Sequence, residues 1–321
     1  MAKTAAMAVQ DLRPKTGMQL FWVRFKKCWQ LHLMMLLPVA YVFLFSYVPM
    51  YGIQIAFKEY SPRKGIMGSP WVGLEHLKGF FGYYKWLDLV WNTLALSLYS
   101  ICVGFPIPII FALIMHVNTQ KGLKKVAQNI TVMPNYISLV ILIGMINTIL
   151  NPMTGVIGYF SRVFNIQVTE DVRGSEEAFR HLYQWSGIWQ GMGWSSIMYI
   201  SALSGVPDEL HEAAKLDGAT RLRRVLSVDI PTILPTVALM LIMRFGSILS
   251  VGYQKAWLMQ NSQNLDVSEI ISTYVYKQGI QQGEMSFGTC VGLLQSAINV
   301  TLLCTVNWIT NTLTDNEMGM F

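Results

Sequence analysis

Long apolar segments alternate with shorter polar ones along most of this chain. A helix needs about 20 consecutive apolar residues to cross the roughly 30 Å hydrocarbon core of a membrane. Six segments have the composition expected of such helices, over approximately residues 31–57, 88–116, 126–150, 183–204, 231–253 and 288–310. Gly and Pro inside them are compatible with membrane helices. The pattern therefore predicts an all-α, polytopic membrane protein with six transmembrane helices and one membrane domain over residues 31–311.

The basic residues near the ends of these segments predict an orientation. Lys and Arg are enriched in cytoplasmic loops. With the N-terminus inside, basic groups before residue 31, in 121–125 and in 215–224 all lie in the cytoplasm. The first apolar segment is too long for a cleavable signal. We therefore expect residues 1–30 and 312–321 to be cytoplasmic tails, and the segments near 58–87, 151–182 and 254–287 to lie outside.

Composition supports a membrane location and excludes several functions. Of the 321 residues 53% are hydrophobic and only 13% are charged, against about 25% charged in globular proteins. The net charge of +6 is too modest to indicate nucleic-acid binding. The four cysteines and five histidines lack metal-ligand spacing, so no metal site is predicted. No phosphate-binding glycine loop and no catalytic set is present, which predicts a chain that is not an enzyme.

The polar loop over residues 205–230 has the features of a compact helix–turn–helix. Pro207 suits the first position of a helix, and Asp208 and Glu209 suit its positive end. Gly218 supplies the left-handed residue that ends this helix. A second short basic helix is predicted from Thr220. An ordinary polar connector between two membrane helices would explain these features equally well.

The order of residues in this loop favours a more specific interpretation. The loop resembles the EAA motif of ATP-binding-cassette (ABC) importer permeases in residue type and spacing. The matching residues are Glu212-Ala213-Ala214, then Asp217-Gly218-Ala219, then Ile230-Pro231 with Pro235. The resemblance implies a type I importer fold like that of the maltose permease. It also implies that the loop is a cytoplasmic coupling segment, which contacts the ATPase through six residues: Glu212, Ala213, Ala214, Asp217, Gly218 and Ala219.

Other strings resemble a particular branch of this family. Trp91-Asn92-Thr93-Leu94 is similar to the start of the permease core in sugar importers, and 246–253 and 271–277 are similar to the complex-carbohydrate, LplB-like branch. The resemblance implies import of oligosaccharides or polysaccharide fragments by alternating access in a bacterial inner membrane. The implied partners are a second homologous permease, two ATPase subunits that use ATP and Mg, and an extracytoplasmic solute-binding protein. The chain itself is expected to bind no cofactor.

Candidate substrate contacts lie in the helices before and after the loop. Sugars bind to aromatic faces and hydrogen-bonding groups, and the fourth segment is rich in both. Helical spacing groups four of its residues on one face, although an aromatic belt at the lipid interface is the alternative for its tryptophans. By position relative to the loop, the resemblance implies the same four residues and four from the fifth segment: Ser186, Trp189, Gln190, Gly193, Arg244, Ser247, Ile248 and Val251.

Arg244 departs from the neutral-sugar members of the family. A charge near the middle of a membrane costs at least about 2.5–3.5 kcal/mol, so Arg244 is expected to face protein, water or ligand. One hypothesis is a bidentate guanidinium contact with an acidic sugar such as a uronate. The alternative is structural pairing with a partner permease or with helix carbonyls. A neutral oligosaccharide remains open as the substrate.

Three alternatives to a sugar importer are considered. An ion-coupled secondary carrier is expected to show internal repeats and buried acidic residues in its spans, and the sequence shows neither. A membrane-embedded glycan-processing enzyme requires a carboxylate constellation, whereas the acids Glu170, Asp171, Glu176 and Glu177 indicate a solvated outer charge cluster. Import of a solute that is not a sugar stays open.

Overall fold

The computed structural model describes residues 25–164, 171–313 and 319. The predicted tails 1–30 and 312–321 lie largely outside the described residues, as does Glu170. The described chain is almost entirely helical, with a single isolated β-bridge between Lys58 and Trp71. The all-α prediction is therefore confirmed. The α-helices, in chain order, are α1 Trp29–Val42, α2 Gly65–Gly68, α3 Glu75–Gly82, α4 Trp86–Tyr99, α5 Pro106–Val117, α6 Lys121–Val132, α7 Leu139–Ile149, α8 Val156–Phe164, α9 Glu176–Leu203, α10 Asp208–Leu216, α11 Arg221–Arg224, α12 Ile230–Phe245, α13 Tyr253–Met259, α14 Leu265–Ser268, α15 Ile271–Val275 and α16 Met285–Leu313.

The chain divides after Gln54 into two units. In the first unit, α1 continues into a π-helical turn at Phe43–Tyr47 and a 3₁₀ segment that begins at Val48. The change of helix type precedes Pro49, whose missing N–H cannot continue the α-helical hydrogen-bond ladder. The apolar side chains of α1 are exposed. An apolar helix without a protein cover within its own unit is what a lipid-facing span requires.

Four helical stretches among the described residues are long and apolar enough to cross a membrane. They are Trp29–Phe57, Trp86–Val117, Arg221–Phe245 and Met285–Thr312. The second stretch joins α4 to α5 through a π-helical turn, and the third joins α11 to α12 in the same way. A fifth span is present if one bent pair of helices crosses the membrane as a unit.

This bent pair occupies the region predicted as the third span, over 126–150. The helical stretch Lys121–Tyr136 and helix α7 meet at an angle of 97°. A 3₁₀ turn containing Pro134 ends the first stretch, and the backbone of Ile137 and Ser138 is extended. The Gln190 side chain donates a hydrogen bond to the Ile137 carbonyl at 2.8 Å. A carbonyl that the bend leaves without a helical partner is thereby satisfied.

Helix α9 occupies the region predicted as the fourth span, over 183–204, but begins earlier. The Ser175 hydroxyl caps its N-terminus by accepting from the Ala178 N–H at 3.4 Å, and Glu176 and Glu177 lie in its first turn. A capping hydroxyl and early acids both stabilise the positive end of a helix. With 28 residues α9 is long enough to cross a membrane, although it is less apolar than the four spans. It packs against α5, α6 and α12.

The segments predicted to lie outside pack on one another. The fully buried Asn264 side chain donates to the carbonyls of Arg173 and Met259, at 3.0 and 3.1 Å. Lys85 and Asp266 form an ion pair at 2.6 Å. Asp171, predicted to be a solvated acid, instead pairs with Arg173 at 2.5 Å, and this guanidinium holds the pKa of the Asp171 carboxyl below its usual value.

Candidate functional site

A cleft of about 720 Å³ lies along the side of α9 that faces α5 and α12. We call it the α9–α12 cleft. Its walls carry aromatic rings, hydroxyl groups, amides and methionine side chains, together with two cations, Arg244 and Lys255. None of the described residues that line it is acidic. A smaller pocket of about 170 Å³ shares Arg244 and Ser247 with the cleft and extends it toward α4.

Arg244 lies near the C-terminal end of α12 and is exposed to the cleft. Within the described ranges its guanidinium forms no ion pair and no hydrogen bond. Residues 230–243, which precede it in the span, carry no charge. A guanidinium so placed is available to an anion that enters the cleft.

Lys255, in α13, is the second cation and is only 8% exposed. Its Nζ donates to the carbonyl of Tyr183 at 2.6 Å and lies 4.7 Å from the centroid of the Tyr183 ring. A Cβ at position 187 would lie 2.9 Å from the Nζ atom, so the glycine at this position makes room for the ammonium group. Burial lowers the pKa of Lys255 to about 8.

Lys255 was not among the residues predicted from the sequence. One signal could have found it, because α13 (YQKAWLM) contains no other charged residue. A lone lysine in an apolar, aromatic helix next to a membrane span has few places to reach water. The spacing alone, however, does not indicate that Lys255 meets Tyr183, which is 72 positions earlier in the chain.

The structure brings five of the eight predicted substrate residues together. Gln190, Arg244 and Ser247 line the α9–α12 cleft. Ile248 and Val251 line the adjoining pocket. Four of the five come from the chain after the loop and one comes from α9.

The other three predicted residues of α9 do not line the cleft. Ser186 lines a separate pocket beside α7. Trp189 is exposed, and Gly193 packs against the backbone of α6. The stripe of α9 that faces the cleft instead contains Tyr183, Gly187, Gln190, Trp194 and Met198. Helical spacing groups residues on a face correctly, but it does not determine which face meets a cavity.

The loop between α9 and α12 folds as a helix, a tight turn and a second short helix. Helix α10 begins at Asp208, so Pro207 is its extended N-cap residue and not its first helical residue. Gly218 follows the helix with a φ of +74°, which glycine adopts without strain. The Ala219 N–H then bonds to the Ala214 carbonyl at 2.9 Å, and the Thr220 hydroxyl caps α11.

The predicted docking residues of this loop are mostly accessible. Glu212, Ala213, Asp217 and Gly218 are exposed, while Ala214 and Ala219 are half-buried. No neighbouring atom lies within 4 Å of a Cβ built at Gly218. Leu216 is 90% exposed beside them. The loop thus presents small, acidic and apolar groups on an open surface of a kind that a partner subunit can contact.

The cleft and the loop together indicate the class of protein. An all-helical chain with several membrane spans, a polar cleft beside them and an exposed helical loop between two spans has the architecture of a membrane transport subunit. Residues 79–313 match the family described as binding-protein-dependent transport system inner membrane component. The chain belongs to this family.

Curated relatives extend the similarity over most of the chain. The polygalacturonan/rhamnogalacturonan transport system permease protein YteP of Bacillus subtilis (strain 168) is 37% identical over 277 residues, 86% of each chain. Protein LplB of the same strain is 35% identical over 281 residues, 87% of each chain.

Solved structures of transporters are similar to this chain over most of its length. A bacterial ABC transporter involved in the import of the acidic polysaccharide alginate contains a chain that matches this one with a TM-score of 0.83 and 32% identity, over 92% of this chain and 99% of that one. A structure of the bacterial alginate ABC transporter in complex with alginate pentasaccharide-bound periplasmic protein matches with a TM-score of 0.83 and 31% identity, over 93% and 99%.

These similarities confirm the family predicted from the EAA motif and its sugar-permease branch. The chain is a multi-pass membrane protein and a permease subunit of a binding-protein-dependent ABC importer of carbohydrate. It is a translocation subunit and not an enzyme. The secondary carrier and the glycan-processing enzyme are thereby set aside.

Proposed function

We propose that this permease carries acidic oligosaccharides, and that the carboxylates of the sugar pass Arg244 and Lys255 in the α9–α12 cleft. The observation that carries the proposal is the charge of this cleft: two cations and no acid among the described residues that line it. A neutral sugar needs no cation, and a charge inside a membrane is costly unless it has a function or a partner.

The two cations differ in what they offer to a carboxylate. Arg244 presents a planar guanidinium that can bind both oxygens of a carboxylate at once. Lys255 is held against Tyr183, so its ammonium acts as a fixed point charge in the wall. Aromatic rings, such as that of Trp194, can pack against the C–H face of a pyranose.

The relatives support the same substrate class. The alginate importer is described as acting on an acidic polysaccharide, and YteP is described as a permease for polygalacturonan and rhamnogalacturonan. Both match this chain over most of its length. We therefore infer that this permease belongs with importers of uronate-containing chains.

The proposed assembly contains a second homologous permease, two ATPase subunits that hydrolyse ATP with Mg, and an extracytoplasmic solute-binding protein. Glu212, Ala213, Ala214, Asp217, Gly218 and Ala219 would dock on an ATPase, which requires the loop and both chain termini to be cytoplasmic. ATP binding would then close the ATPase pair and rock the two permeases between outward and inward access. The exposure of four of these six residues supports this docking role.

The test is transport by the complete complex reconstituted in liposomes with its binding protein. Uptake of a uronate oligosaccharide and of a neutral one of equal length is compared for the wild type, Arg244→Gln, Arg244→Lys and Met243→Gln. Loss of a charge-assisted hydrogen bond of about 1.5–3 kcal/mol predicts a fall of about 10- to 100-fold in kcat/KM for the acidic sugar with Arg244→Gln. Arg244→Lys should retain part of it.

Met243→Gln is the matched control, because Met243 also lines the cleft and the change adds an amide without removing a charge. It should leave the acidic sugar nearly unaffected. Equal uptake of both sugars by the wild type, with no selective loss in Arg244→Gln, would contradict the proposal and favour a structural role for Arg244.

A further inference from the structure

Three potential metal ligands converge where the loop meets the membrane helices. His116 lies in the last turn of α5, His211 lies in α10, and Asp229 immediately precedes α12. The Asp229 Oδ1 atom is 3.1 Å from His211 Nε2 and 3.6 Å from His116 Nε2. Ligand atoms of all three residues lie within 4.8 Å of one another. The residues are 95 and 18 positions apart in the chain, so the sequence predicted no metal site here.

The carboxylate at the centre of this cluster has no hydrogen-bond partner. Asp229 is 1% exposed, and both its oxygens are buried without a donor among the described residues. The only cationic groups paired with it in those ranges would be the two histidines, if they were protonated. A buried carboxylate left uncompensated is strongly destabilising. A positive charge beside the carboxylate would remove this cost.

The orientation of the ligands favours an ion that they share over a direct bond between them. Although His211 Nε2 and Asp229 Oδ1 are 3.1 Å apart, they are not aligned as a hydrogen bond, and the nitrogen is also buried without a partner. A close approach of two ligand atoms without a hydrogen bond between them is the arrangement expected around a shared metal ion.

The two distances to the Asp229 Oδ1 atom fit a tetrahedral ion of the zinc type. Bonds of about 2.0–2.2 Å from Zn²⁺ to imidazole nitrogen and carboxylate oxygen place neighbouring ligand atoms about 3.3–3.5 Å apart. The observed 3.1 and 3.6 Å lie on either side of this value. Two histidines and one carboxylate are a known zinc ligand set, with the fourth position open to water. The side chains of His116 and His211 are 27% and 16% exposed, which gives the ion a route of entry.

We propose that His116, His211 and Asp229 bind one divalent zinc-type ion, with water as the fourth ligand. The ion would join α5, α10 and the start of α12, and so fix the loop to two membrane helices. The binding site itself depends only on these three residues. Its effect on coupling rests on the proposed docking of the loop to an ATPase.

The test uses the full chain in its complex, purified in detergent with a tag that contains no histidine and stripped of metal by a chelator. Zn²⁺ binding is measured by competition with a chromophoric chelator, and Co²⁺ is added as a spectroscopic probe. We expect one Zn²⁺ per permease chain and a Co²⁺ absorption of tetrahedral intensity. His116→Ala and His211→Ala should each weaken Zn²⁺ binding by more than about 100-fold, since even outer ligands contribute 10- to 100-fold.

His76→Ala is the matched control. His76 is a half-buried histidine whose ring contacts the Lys58 carbonyl at 3.1 Å, away from the cluster. This variant should bind Zn²⁺ like the wild type. Zn²⁺ should also raise the apparent melting temperature of the wild type and of His76→Ala, but not of His211→Ala.

Two outcomes would overturn the proposal. One is a wild-type complex that binds no Zn²⁺ at micromolar concentration. The other is binding that His116→Ala and His211→Ala leave unchanged. In either case protonated histidines, and not a metal, would compensate Asp229. A site that binds Zn²⁺ as expected without any effect of chelation on ATP-driven uptake would instead refute only its role in coupling.

Discussion

Gly193→Ala should separate two helices that position the cleft. Gly193 of α9 packs directly on α6, and a Cβ at this position would lie 2.2 Å from the Thr131 carbonyl oxygen and 2.6 Å from the Val132 nitrogen. These are backbone atoms, which cannot rotate away. Since ordinary contact begins near 3.4 Å, α9 must move by roughly 1.2 Å.

This movement predicts a measurable loss of stability. Strain from overpacking costs about 1–3 kcal/mol. A shift of this size would also stretch the 2.8 Å hydrogen bond from Gln190 to the Ile137 carbonyl beyond bonding distance, which adds about 1 kcal/mol. The sum is about 2–4 kcal/mol. At about 2–4 °C per kcal/mol for a chain of this size, the apparent melting temperature should fall by about 5–15 °C.

The assay is thermal unfolding of the purified permease in detergent at a fixed heating rate, since membrane proteins often unfold irreversibly. Gly191→Ala is the matched control, because it lies two residues away in α9 and has no neighbour within 4 Å of an added Cβ. It should melt at the wild-type temperature or up to about 4 °C above it, because Ala is favoured over Gly in a helix by about 1 kcal/mol. If the two variants melt at the same temperature, the close contact of α9 with α6 is not as described and the reasoning fails.

Two further predictions concern the cleft and the loop. Because burial lowers the pKa of Lys255 to about 8, the lysine is charged below this pH and loses its charge above it. Uptake of an acidic oligosaccharide should therefore fall as the pH rises through about 8, more steeply than uptake of a neutral one. Lys255→Arg should reduce this difference, because the arginine guanidinium stays charged. Equal pH profiles for both sugars would contradict this prediction. Gly218→Ala should cost about 1–2 kcal/mol of stability, because Gly218 has a φ of +74°. The variant should recover less ATPase in co-purification and import less sugar per ATP hydrolysed. Gly205→Ala, in the same loop but without a positive φ, should do neither, and equal behaviour of the two variants would count against the docking role.

The loop could be predicted from the sequence because its signals are local. Pro207, the early acids and Gly218 act on their own helix within one or two turns, and the structure has a helix over Asp208–Leu216 followed by a left-handed glycine. The structure differs from the prediction by one residue: Pro207 is the N-cap of this helix and not its first helical residue. The EAA motif is read from the same short segment, so it identified the family without any knowledge of distant contacts.

The bend and the cleft depend on contacts that periodicity does not contain. An apolar run over 126–150 predicts a span without indicating a bend, but this region contains a turn of 97° next to Pro134, where the Gln190 side chain bonds to the Ile137 carbonyl. The cleft depends on which side of α9 meets α12, and this is decided by packing at sites such as Gly193. Lys255 and the cluster of His116, His211 and Asp229 arise from residues far apart in the chain, so no spacing rule could have joined them.

The environment of Arg244 indicates what must cover the α9–α12 cleft. Against lipid, a guanidinium costs at least about 2.5–3.5 kcal/mol, yet Arg244 is exposed and unpaired within the described ranges. The facing side of α9 adds Gln190, whose amide is also unfavourable against lipid. Polar groups on both walls therefore require water or protein in front of them. The proposed second permease would supply that surface, and this chain would then form one wall of a shared pathway. The preference for acidic sugars that is lost in Arg244→Gln would therefore measure the contribution of this wall alone. A cation on the facing permease would keep part of that preference intact.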